Sequence, residues 1–368
     1  MAHTSVASEE TLPSPAEAHR RSALRGLQAL RGIAAVMIVL AHAGQNVEER
    51  LQRPSRFSGP ATLGVDIFFA LSGFVMIYSS LQPGKHRPRP LQFIERRIIR
   101  IVPLYWVATT LKLIALAASP RLSLHTRLSG WAALASYLFL PVRNADQMFR
   151  PLLGVGWTLN YEMFFYVLFA LAIASRLALI PTLGTVLIAL AISSYFHGPS
   201  GHAILFYSDS IVLDFLWGMF AAWLFSKKRK TTEWYEAVAV MLIGWVILFT
   251  PTPFRPTIGI GAGLIVYGVV LLEPYLQSLP CWMIYLGEAS YAIYLFQSLA
   301  MPLLPITMAR MHVSYVGVAV AGGVFLGVAA GCAAHECLEL PIMRYLKSHV
   351  EKGARPHIPL EPVMPRKP

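Results

Sequence analysis

The sequence predicts an all-α, polytopic integral membrane protein, and three observations carry that expectation. Hydrophobic residues make up 55% of the 368 residues and charged residues only 14%, against about 25% charged in soluble domains. Mean hydropathy is +0.54. Ten apolar segments are long enough, or nearly so, to cross a hydrocarbon core of about 30 Å. They run over 27–45, 62–80, 98–118, 157–175, 177–196, 209–226, 234–251, 257–273, 283–303 and 314–338. An eleventh, 130–141, has twelve residues and ends at Pro141, which fits a short re-entrant or interfacial helix.

Charge sets the expected orientation. With 130–141 not crossing and the N-terminus inside, the cytoplasmic stretches hold 20 Lys and Arg and the external ones nine. A crossing at 130–141 would invert every later loop and turn the run 227–230 outward. The positive-inside rule therefore favours ten crossings with both termini cytoplasmic. Lys112, toward the outer end of its span, reads as a snorkelling lysine. Three regions follow: a cytoplasmic N-terminal segment 1–26, a transmembrane domain 27–347 and a Pro-rich cytoplasmic tail 348–368, expected to be disordered.

Other classes fit less well. The first residues, Met1 to Ala18, are polar and lack the apolar core of a cleavable signal. The net charge of +12 is gathered in a few stretches, which suits an orientation code and not nucleic acid. Cys281, Cys332 and Cys337 form no even framework, so disulfides are not expected. Cys332, His335 and Cys337 do not share one helical face, so no metal site is expected.

Arg31 and His42 stand eleven steps apart in one apolar run, almost three helical turns. They share a face and lie roughly 16 Å apart along the axis. A cation and an imidazole on one stripe of a spanning helix mark a polar interior; an interfacial Arg and a packed His are the plainer alternative. The assumed topology puts Arg31, Arg96, Arg97 and Arg100 in an inner cationic layer suited to phosphate. His42, Asp66 and Glu162 fall in an outer layer, a candidate acid/base set. Each has a simpler reading. The arginines also mark a membrane boundary, Asp66 sits where a helix cap would, and Trp157 suits an interfacial belt. Tyr291, Tyr294 and Gln297 form a polar stripe that also suits inter-helix hydrogen bonding. Glu162 is harder to dismiss, because a carboxylate facing lipid costs several kcal/mol.

Six stretches in order resemble the acyltransferase 3 family of membrane acyltransferases, most of all its exopolysaccharide-modifying, ExoZ-like members. They are 30–35 with His42, 64–74, 96–105, 157–162, 286–295 and Glu339-Leu340-Pro341. The resemblance places a basic-x10-His pair on Arg31 and His42, a three-Arg motif on Arg96, Arg97 and Arg100, and a Trp-x4-Glu motif on Trp157 and Glu162. Many members carry His where Gln297 stands. Gln exchanges no proton near neutral pH, so a substrate hydrogen bond is expected there instead.

The resemblance implies an O-acyltransferase of the bacterial inner membrane. Its donor would be acetyl-CoA or another acyl-CoA, with no permanently bound cofactor. Its acceptor would be a hydroxyl of an exopolysaccharide, another cell-surface glycan or a lipid-linked oligosaccharide precursor, and polysaccharide-assembly proteins are possible partners. His42 would be the general base and Glu162 or Asp66 would orient it. Arg31, Arg96, Arg97 and Arg100 would hold the donor, and Trp157, Tyr291, Tyr294 and Gln297 the acceptor. A small glycoside as acceptor, or transport of a glycan or anionic solute, are the competing readings. No SGNH-type hydrolase domain is expected after the last span.

Overall fold

The computed structural model describes residues 24–59, 63–80, 89–119, 124–126, 128–196, 203–228, 232–252 and 254–353. The segment 1–23, the tail 354–368 and Arg229 and Lys230 of the basic run lie outside the described residues. Among the described residues there is no sheet, only one isolated bridge between Arg143 and Phe149. The protein is an all-α, polytopic membrane protein.

Helix α1 spans Arg25–Leu51, α2 Leu63–Ser80 and α3 Pro90–Ala118. The short α4 covers Gly130–Tyr137. Next come α5 at Trp157–Ala174, α6 at Leu179–Ser193 and α7 at Leu213–Lys227. Helix α8 is Trp234–Phe249 and α9 Pro256–Leu271. Then come α10 at Cys281–Glu288, α11 at Ser290–Ala300 and α12 at Leu303–Arg310. Helix α13, Val316–Ala334, runs through a π turn at His335–Glu339 into α14, Leu340–Gly353.

Among the described residues, eight helical stretches are long and apolar enough to cross a membrane, and α8 and α9 are shorter apolar helices. Together they occupy the ten expected segments. Eight residues of α4 reach only about 12 Å, too short to cross. The ninth segment differs from its expected bounds. It breaks between α10 and α11, where Ser290 Oγ closes onto the Gly287 carbonyl at 2.7 Å, and the long apolar stretch is Ser290–Arg310. The tenth does not end at 338, because the π turn carries the helix onward.

Packing follows from small residues and distant caps. The start of α1 has no side-chain cap of its own. Glu273, just beyond α9, fills that place: its carboxylate accepts from the Arg25 N–H at 2.5 Å and the Gly26 N–H at 3.0 Å. Burial pushes the Glu273 carboxyl above its ordinary value, and the two backbone N–H bonds pull it part of the way back.

Between α2 and α7, Gly73 lies on the Phe215 carbonyl and Gly218 on the Ala70 carbonyl, with no room for a Cβ. Two backbones in such contact keep the helices in one register. Gly218→Val drives a branched side chain into that carbonyl. It should cost at least the upper end of about 1–3 kcal/mol for overpacking, read as a lower thermal midpoint in detergent than Gly130→Val, whose site is open.

Candidate functional site: two polar cavities on one helix face

Arg31 and His42 both face the protein interior from α1, but they open into different cavities. The first, of about 120 Å³, is lined by Arg31, Arg97, Arg100, Glu162 and Tyr166. The second, of about 390 Å³, is lined by His42, Glu49, Arg50, Lys112 and Arg150 among others. Eleven steps along α1 set both residues on one stripe, and that stripe reaches both cavities.

Helical phase decides what the arginine cavity contains. On α5, Thr158, Glu162 and Tyr166 recur every four residues and all line it. On α2, Val65, Phe68, Ser72 and Val75 recur at steps of three and four and line it too. The Arg97 guanidinium lies 5.7 Å from the Phe93 ring centroid and 5.5 Å from that of Tyr166, within cation–π range. Tyr166 donates its hydroxyl to Glu162 Oε1, and Ser72 donates to the same atom at 3.5 Å. Arg31 donates to Gln28 Oε1 at 3.4 Å and lies within electrostatic reach of Arg100, Glu162 and Glu339. Three guanidinium groups and the Glu162 carboxylate thus line one confined space, which leaves positive charge in excess there.

Four of the expected site residues, Arg96, Asp66, Trp157 and Gln297, line neither cavity. Arg96 is exposed and lines neither cavity. It is one residue from Arg97, so it points about 100° away around α3. Asp66 is two residues from Phe68, about 200° around α2, and turns to α7 and α9. There it accepts a bond from Arg255, which also donates to Asp214 at 3.5 Å. Asp66 and Asp214 are 2% and 0% exposed. This cluster ties three helices together and is separate from both cavities.

Glu162 does not share a cavity with His42 either. What surrounds His42 instead is Arg150, within electrostatic reach, and Gln297 beside it. Gln297 is fully buried. Its Nε2 donates to the Tyr294 carbonyl at 3.3 Å, and its Oε1 completes no hydrogen bond. Sequence alone does not single out the cations here: Arg150 lies in a loop and Lys112 toward the outer end of a span, and only their meeting in one cavity reveals them.

A short wall separates the cavities. Tyr294 donates its hydroxyl to the Val155 carbonyl at 2.6 Å and lies 2.6 Å from Thr158 Oγ1. Tyr294 and Thr158 line the arginine cavity, and Val155 lines the His42 cavity. Tyr291 lines the arginine cavity and donates to the Ile101 carbonyl at 2.7 Å. Trp157 packs edge-on against Tyr161 and lines neither cavity.

The comparisons with known proteins define a membrane enzyme of acyl transfer. The family model described as an acyltransferase domain matches residues 24–335, and the chain belongs to the acyltransferase 3 family. It is 32% identical over 301 residues to the exopolysaccharide production protein ExoZ of Rhizobium meliloti, covering 76% of this chain and 89% of that one. It is also 25% identical over 331 residues to ORF330 of Acidianus two-tailed virus, a protein whose name describes an acetyltransferase. That match covers 86% of this chain and 89% of the viral one. No solved structure matches.

Proposed function

We propose that the chain transfers an acyl group, acetyl from acetyl-CoA, to a hydroxyl of an exopolysaccharide or other cell-surface glycan in the bacterial inner membrane. The observation that carries this reading is the gathering of Arg31, Arg97 and Arg100 in one cavity, at the opposite end of the α1 stripe from His42. The arginines take the donor phosphates from the cytoplasmic side, and the acceptor hydroxyl comes to His42 from the other. Both termini are cytoplasmic in this arrangement.

His42 takes the hydroxyl proton as general base. The hydroxyl oxygen bonds to the acyl carbon, the bond from that carbon to the CoA sulfur breaks, and the proton passes to the departing thiolate. Gln297 stands beside His42; in the reactive complex its buried Oε1 accepts the imidazole N–H and fixes which ring nitrogen stays free as the base. Glu162 balances the arginine charge and holds Tyr166. The Tyr294–Thr158–Val155 wall stands between donor and base, so the pantetheine arm passes where these hydrogen bonds open.

Two measurements test the reading. Purified chain with acetyl-CoA should release free CoA thiol when surface glycan is added and none without it; no glycan-dependent release would overturn the activity. Arg97→Ala should weaken acetyl-CoA binding by about ten- to a hundredfold, the worth of a charge-assisted contact, and leave the choice of acceptor alone. Arg97→Lys should also bind poorly, because it loses the planar fork. Unchanged CoA affinity in Arg97→Ala would remove Arg97 from the donor site. A transporter would bind no CoA at all.

A further inference from the structure

A third cavity adjoins the His42 cavity. This groove, of about 380 Å³, is lined almost wholly by apolar residues of α3, α11, α12 and α13, among them Leu111, Phe296, Leu299, Leu303 and Ile306. Leu111 and Leu303 are 42% and 52% exposed, so the groove opens on the apolar flank that meets lipid. Three residues line both spaces: Lys112, Ser298 and Pro302. The groove and the His42 cavity therefore share a border at these three residues, the groove forming an apolar half and the cavity a polar half.

Lys112 stands at the junction. It makes no hydrogen bond or ion pair among the described residues. The polar half also presents Arg50 and Arg150. Its one carboxylate, Glu49, is engaged by His125 at 3.1 Å. A cation toward the outer end of a spanning helix, with other cations beyond it and the one nearby carboxylate already engaged, calls for an anion. An apolar slot on one side of that cation and a polar chamber on the other describe a lipid with a phosphate head.

We propose that the groove and the His42 cavity together hold the acceptor as a lipid phosphate. The hydrocarbon lies in the groove, the phosphate sits on Lys112, and the glycan carried by that phosphate extends under His42. This deepens the reading above, on which it rests, by fixing the acceptor as a lipid-linked glycan that arrives sideways from the membrane. Lys112 is a binding residue and takes no part in bond making.

The test uses the full chain in lipid discs and a fluorescently tagged dodecyl phosphate, with tagged dodecanol as the neutral control. The phosphate should bind at least about tenfold more tightly than the alcohol. Lys112→Gln should bring the phosphate down to the alcohol's affinity. Ala330→Trp, which fills the groove from α13, should weaken both. Equal binding of the two probes, or no change in Lys112→Gln, would overturn the site. Competition by phosphatidylglycerol as strong as that by the probe would overturn the acceptor assignment, since the groove would then be a general lipid site.

A second arm keeps the two readings apart. Membranes given radiolabelled acetyl-CoA should place label in a solvent-extractable glycan freed by mild acid. Label found only in water-soluble glycan would overturn the lipid acceptor while leaving the transferase. Phosphate-selective binding with no labelled glycan of either kind would keep the lipid site and overturn the transferase reading.

Discussion

His42→Gln should abolish acyl transfer, with a loss of about 10²–10⁴-fold in rate, while acetyl-CoA binds as in the wild type. The substitution keeps a hydrogen-bonding side chain of similar size and removes the titration. The separation of cavities is what makes the result sharp. His42 lies in one cavity and Arg31, Arg97 and Arg100 in the other, so loss of the base should not reach the donor phosphates. The check is a paired measurement of CoA affinity and transfer rate on the same preparation. Gln297→Leu provides the companion result. It removes the buried Oε1 beside His42 without touching the donor, and should lower kcat with an unchanged KM for acetyl-CoA. Near wild-type transfer in His42→Gln would make His42 a packing residue.

Arg255→Leu should destabilise the fold by about 3–5 kcal/mol, the cost of leaving buried charge unpaired. Arg255 reaches both Asp66 and Asp214, carboxylates that are 2% and 0% exposed. Without the guanidinium the two acids face each other between α2, α7 and α9. The double variant Arg255→Leu, Asp66→Asn should recover part of the loss, because one of the two stranded charges is gone. The thermal midpoint in detergent reads both effects. Asp66→Asn alone separates structure from chemistry. It should lower stability and retain transfer per folded molecule, since Asp66 turns away from both cavities. A stable but inactive Asp66→Asn would return Asp66 to the catalytic set.

The spans were legible because long apolar runs need no tertiary information. The ninth was not, since its break depends on Gly287 lying against the Gln28 backbone of α1. Spacing within one helix was legible too: counting along α1 set Arg31 and His42 on one stripe, and each lines a cavity. Azimuth was harder. Asp66 and Glu162 were read at the depth of His42, yet phase within α2 and α5 turns one toward Arg255 and the other toward the arginines. Residues two apart in a helix point nearly opposite ways, but which face turns inward is set by the neighbouring helices. Arg150, Lys112 and Arg255 were invisible as site residues because each is a lone basic residue, and only the fold shows what stands opposite.

Ester analysis of surface glycans tests the central claim most directly. Cells carrying the chain, cells lacking it and cells carrying His42→Gln are compared for base-labile acetyl groups on purified polysaccharide. The account expects the ester with the wild-type chain and its loss in both other strains, with the His42→Gln protein present in the membrane at normal level. Identical acetyl content in all three strains would contradict it.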